Sequence, residues 1–225
     1  METPLVPATV TRMMLGSGMF SVNAYLIRTG LGFVLVDTGT RGQQATLEKR
    51  LAEEGCTPGS LRLILITHGD VDHIGNAAYL RRMFEAPIAM NERDVRMASD
   101  GDMFAGRQSP GWVARILLPL IARLPEKNHF EPDVPVDEAS DLSEYGLPGA
   151  RILSLGGHSA GSIALLLDDG SLFCGDVLEN RKVPKLGSIM DDVVTAQASV
   201  DRLKTLNVGT VYPGHGKPFE MAELG

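Results

Sequence analysis

A chain of 225 residues, 44% apolar and 22% charged, is long enough to bury a large core as a single domain without disulfide staples. Acidic residues outnumber basic ones 28 to 21, giving a formal net charge of −7 that argues against nucleic acid as a partner. Two unclustered cysteines, Cys56 and Cys174, the lack of a basic-then-apolar leader and apolar runs far short of a membrane span together predict a soluble, cytoplasmic protein.

Strands are expected at residues 21–29 and 33–37, split by Gly30-Leu31-Gly32, followed by a helix over 42–54 that stops at Gly55. Residues 62–67 are a short, wholly apolar strand, which implies burial on both faces. Helices over 76–85 and 92–98 flank a short strand at 87–90. Arg81-Arg82, the clearest basic pair, reads as a solvated helix face. Residues 100–135 break the alternation with glycines, prolines, Trp112 and the run Ile116-Leu117-Leu118-Pro119-Leu120-Ile121. They are expected to form a helical insertion, serving as a cap, as an apolar pocket wall built on Trp112, Leu117 and Leu118, or as a homodimer interface. Strands return at 151–155, 163–167 and 171–174, the last two joined by the turn Asp168-Asp169-Gly170. A helix over 195–206 and a strand at 210–212 follow. Strands alternating with helices in both halves predict sheets covered by helices.

The chemistry gathers where these strands end. Four of the five histidines, His68, His73, His158 and His215, lie in polar, glycine-flanked stretches after apolar strands, where α/β folds place their working groups. Thr67-His68-Gly69-Asp70-Val71-Asp72-His73 offers four metal donors in six positions. If the chain stays extended, His68, Asp70 and Asp72 point the same way, and His73 joins as a helix begins. Asp70 or Asp72 alone would equally serve as a helix cap. Imidazole with carboxylate suits zinc, iron or manganese better than calcium or magnesium. Gly157-His158, Gly175-Asp176 and Pro213-Gly214-His215-Gly216 repeat the pattern. One histidine beside a glycine is commonly structural, but that reading does not explain all of these sites together.

In this order the motifs resemble those of the metallo-β-lactamase superfamily, from about Asn23 to Phe219, with Val36-Asp37-Thr38-Gly39 similar to the family's early strand-end motif. The resemblance implies an α/β (α+β) fold, a four-layer αββα sandwich filling residues 1–225, with two divalent metals, zinc foremost, at one edge. It implies that His68 and His158 hold a first metal, that Asp72, His73 and His215 hold a second, and that Asp176 bridges them. It places Asp37 behind the ligands as a steadying acceptor, and makes Asp72 and Asp176 the groups that steer protons. His129 matches nothing and reads as structural. Asp70 stands where the family usually has histidine. A ligating carboxylate there removes one unit of positive charge from the centre, weakens the first metal as a Lewis acid and favours iron or manganese relative to zinc. The expected activity is hydrolysis of a small-molecule ester, thioester or lactone by a metal-activated water, as in glyoxalase II-like members but without their C-terminal helical domain. A di-iron redox protein is the alternative that Asp70 keeps open, and a non-catalytic metal-binding protein is a second.

Overall fold

The computed structural model describes residues 9–107 and 122–225. One sheet runs in the order β1 (Thr9–Leu15), β2 (Val22–Thr29), β3 (Gly32–Val36), β4 (Leu61–Leu65), β5 (Ile88–Met90) and β6 (Val134–Pro135). Its first two pairings are antiparallel and the rest parallel. The second sheet runs β12 (Phe219–Glu220), β11 (Thr210–Gly216), β9 (Leu172–Asn180), β8 (Ile163–Leu166) and β7 (Arg151–Ser154), with β10 (Lys185–Leu186) also on β9. Helices α1 (Gln44–Glu53) and α3 (Ala77–Phe84) cover the first sheet, and α5 (Val193–Lys204) covers the second. Two short helices, α2 (Val71–Ile74) and α4 (Val95–Ser99), lie between.

The continuous apolar strands follow from this layering. In β3 and β4, Val34, Val36, Leu63 and Leu65 face the second sheet, where they meet Ile152, Ile163, Leu165 and Phe173. Their neighbours Phe33, Leu35 and Ile64 point the other way, onto Leu47, Leu51, Leu80 and Phe84. In β8, Ile163 and Leu165 join the middle core, while Ala164 and Leu166 join Val200 and Leu203 beneath α5. A strand with apolar residues on both faces must be covered on both faces, so the expected αββα sandwich is what forms.

Three details depart from the sequence reading. β1 was not foreseen: only Met13 and Leu15 of its seven residues are fully buried, so its apolar signal is thin. The helix expected over 76–85 begins earlier, as α2, and resumes as α3, which ends where Glu85 turns left-handed at φ 54°. β9 and β11 do not stop before their functional residues. β9 carries Asp176 within it, and β11 carries His215, with register shifts on either side of Pro213 that re-aim the chain. Of the expected helical insertion, the described part comprises turns over 101–107, a bridge between Asp102 and Arg123 and a 3-10 turn at Glu126–Asn128 before β6, while residues 108–121 lie outside the described residues. Trp112, Leu117 and Leu118 lie outside the described residues. No helix among the described residues is long and apolar enough to cross a membrane.

Candidate metal centre

After β4 the chain bends at Thr67 and His68, is extended at Asp70 (φ −68°, ψ 142°) and then enters α2. His68 and Asp70 share a side, whereas Asp72 is already helical and turns away with His73. The three-fold convergence expected of His68, Asp70 and Asp72 is thus split after Asp70. Asp70 precedes α2, yet its side chain makes no capping hydrogen bond, which removes the cap reading for it.

Each histidine ring is held by its Nδ1. His158 Nδ1 donates to the carbonyl of Ile189 at 2.6 Å, and His215 Nδ1 to that of Ser21 at 2.7 Å. His73 Nδ1 donates to Asp37 Oδ2 at 2.8 Å. Thr67 Oγ1 also donates to Asp37 Oδ2, at 2.8 Å, and so accepts from His68 Nδ1 at 2.9 Å. With every Nδ1 serving as donor, four Nε2 lone pairs are left, and all four aim inward.

They meet three carboxylates in two groups. In one, Asp70 Oδ2 lies 3.7 Å from His68 Nε2 and 3.2 Å from His158 Nε2. In the other, His215 Nε2 lies 3.4 Å from Asp72 Oδ2, and His73 Nε2 is 4.0 Å from the same oxygen. Asp176 stands between the groups: Oδ1 is 3.2 Å from His73 Nε2, Oδ2 is 3.1 Å from His215 Nε2, and the carboxylate also clusters with His68 and His73. Lone pairs facing carboxylate oxygens repel unless a cation joins them. His68 Nε2, His73 Nε2 and Asp176 Oδ1 are buried without any hydrogen-bond partner. Donors spaced by 3–4 Å fit a divalent ion about 2.0–2.2 Å from each. A proton is the simplest such cation, and the facing carboxylates and rings shift one another's titration accordingly. Burial disfavours a charged His215, but Asp176 and Asp72 outweigh it and raise its pKa to about 10. Burial would likewise raise Asp176, yet His215 and His73 hold it well below the usual carboxylate range. His68 is pushed down by burial and by His73 and His158.

The frame behind the donors is rigid. Asp37 has a left-handed backbone, φ 58°, which a residue other than glycine seldom adopts. Its carboxylate accepts from Thr67 N, Thr67 Oγ1 and His73 Nδ1, so one side chain orients both ends of the His68–His73 segment. At Gly214 a side chain would collide with the Asp176 carboxylate and the His73 ring, so only glycine lets β11 approach the centre this closely.

Sequence reasoning missed several contributors. Asp94, 1% exposed, accepts from Gly69 N, Gly161 N and Ser159 Oγ, tying the His68–Asp70 turn to the His158 turn. It stands in a polar stretch, Asn91-Glu92-Arg93-Asp94, with nothing to mark it. Arg107 lies 2.9 Å from Asp70 Oδ1 and comes from the region expected to be an apolar insertion. The carbonyls of Ser21 and Ile189 carry no side-chain signal at all. His129 sits apart from the centre, donating to the Leu124 carbonyl at 3.0 Å, in keeping with a structural residue.

Comparison with known proteins agrees with this fold. The family model of the metallo-beta-lactamase superfamily matches residues 17–215. The chain belongs to that superfamily of metallo-hydrolases. It is similar to the probable metallo-hydrolase MJ0888 of Methanocaldococcus jannaschii, 27% identical over 202 residues, covering 88% of this chain and 89% of the relative. Another relative, the probable metallo-hydrolase YflN of Bacillus subtilis, is 23% identical over 206 residues, covering 83% and 76%. Among solved structures, TTHA1623 in a di-iron-bound form superposes with a TM-score of 0.71 at 27% identity, covering 93% of this chain and 95% of that one.

Proposed function

We propose that the protein hydrolyses a small-molecule ester, thioester or lactone at a binuclear metal centre. The observation that carries this reading is the convergence of four oriented Nε2 lone pairs and three carboxylates into two groups that meet at Asp176. His68, Asp70 and His158 would hold one ion, and Asp72, His73 and His215 the other, with Asp176 within reach of both groups. Bound divalent metal would supply Lewis acidity for a substrate oxygen and an attacking water that ionises near neutral pH. The carboxylates differ in access: the Asp72 side chain is 31% exposed, against 14% for Asp176 and 4% for Asp70. Asp72 is therefore placed to take a proton from the water and return it to the leaving group, while Asp176 and Asp70 hold position.

Apolar side chains stand close to the backbone that fixes the outer ligands. Met19 and Phe20, each 80% exposed, precede Ser21, whose carbonyl holds His215. Ile189, 58% exposed, supplies the carbonyl that holds His158. Apolar groups left this exposed beside a polar centre favour a substrate with an apolar portion. The net charge of −7 favours a small molecule over nucleic acid.

Zinc is the proposed metal. Iron is the second reading, supported by the oxygen ligand at Asp70 and by the di-iron-bound form of the similar TTHA1623. The test is elemental analysis of purified protein, followed by an ester, thioester, lactone and phosphodiester panel run before and after chelation. Turnover that disappears with the metal and returns on reloading is expected. A fully metallated protein inert across the panel would exclude the hydrolase reading, and oxygen or nitric oxide consumption by an iron-loaded sample would favour redox chemistry.

A further inference from the structure

Arg107 singles out one half of the centre. Its side chain is 2% exposed, and Nη2 lies 2.9 Å from Asp70 Oδ1. The same Nη2 lies 3.3 Å from His158 Nε2 with a hydrogen directed at it. His158 spends its Nδ1–H on the Ile189 carbonyl, so in the neutral ring Nε2 offers its lone pair, and the guanidinium N–H is placed to take it. That lone pair is the one His158 would give to a metal. Asp191 stands 3.7 Å from Arg107 Nε and helps hold the guanidinium in place. Nothing comparable acts on the other half: among the described residues, Asp72 and Asp176 pair only with histidines. A guanidinium does not lose its proton at any working pH, so it leaves a ligand only by moving. Together, Asp70 and Arg107 carry no net charge, like the neutral histidine usual at position 70, but their cation sits against the metal's own donors.

We propose that Arg107 competes with metal for His158 and Asp70, so that the two halves of the centre fill unequally. This rests on the metal-centre reading above. The half formed by Asp72, His73, His215 and Asp176 fills first. The half formed by His68, Asp70 and His158 fills only as Arg107 withdraws, with affinity weaker by roughly 10- to 100-fold, the size of one charge-assisted hydrogen bond given up.

Metal-free full-length protein titrated with zinc against a chromogenic chelator tests this without reference to activity. The wild type is expected to bind one tight equivalent and one 10- to 100-fold weaker, and His158→Ala to lose only the weak one. Arg107→Met, checked for folding by circular dichroism, should bring the two dissociation constants to within a few fold of each other. Two equivalents of similar affinity in the wild type would overturn the proposal while leaving the binuclear reading intact. So would an unchanged weak equivalent in folded Arg107→Met. Failure to bind any metal would overturn both.

Discussion

Asp70 brings a carboxylate oxygen to the centre, and Arg107 beside it offsets the charge. Its Oδ2 stands where a ligand is needed, 3.2 Å from His158 Nε2, and its second oxygen lies against Arg107. Replacing it by histidine removes the hard oxygen donor, so Asp70→His should raise the zinc-to-iron ratio at this half of the centre, read by elemental analysis after loading from an equimolar mixture. An unchanged ratio would mean that Asp70 is not a ligand. Asp37 acts one step behind. Asparagine tolerates its left-handed backbone but turns an amide N–H toward a donor or leaves one of three donors unmatched. Asp37→Asn should weaken zinc binding about 10- to 100-fold, measured by chelator competition, while the far-ultraviolet circular dichroism is retained.

Elements bring the donors together by where they stop or bend. β4 delivers His68 and Asp70, α2 turns Asp72 and His73 the other way, and β9 and β11 run parallel so that Asp176 and His215 arrive side by side. The two turns that carry His68 and His158 do not touch through strand pairing; Asp94 links them with three hydrogen bonds from its place just before α4. Asp94→Ala leaves two backbone N–H groups and a hydroxyl without their acceptor. It should cost about 3 kcal/mol in chemical denaturation and weaken metal binding with it. A loss below about 1 kcal/mol would show that water replaces the carboxylate.

For the molecule as a whole, stability is tied to what occupies the centre. Zinc held at 100 times its dissociation constant should add about 2.7 kcal/mol to the folded state, seen as a drop in Tm on chelation. The metal-free protein has a pH dependence of its own. The pKa of His215 rises from an ordinary value of 6.5 to about 10 on folding. Its protonated ring therefore stabilises the fold fully below pH 6.5, and that contribution disappears as pH climbs toward 10. The Tm of metal-free protein should fall over this range, and that of the metal-loaded protein should not fall in parallel. The same proton must leave when metal enters. Zinc uptake at pH 7.5 should thus release protons, visible by calorimetry in buffers of different ionisation enthalpy, and identical observed heats across those buffers would contradict this.

Much of this was written locally. Fully apolar strands demand cover on both faces, so the runs around Val34–Val36, Leu63–Leu65 and Ile163–Leu165 called for sheets covered by helices, and the family resemblance supplied the four-layer sandwich. The donors His68, Asp70, Asp72, His73, His158, Asp176 and His215 were legible because histidine and aspartate recurred beside glycines at the same place relative to those strands. The tertiary structure alone decided how the donors divide. One residue's change from extended to helical backbone at Asp70 sends Asp72 to the other group, and a register shift beside Pro213 aims His215. It alone brought Asp94, Arg107 and the carbonyls of Ser21 and Ile189 to the centre, because a contact between segments 25 to 194 residues apart leaves no periodicity or spacing to read.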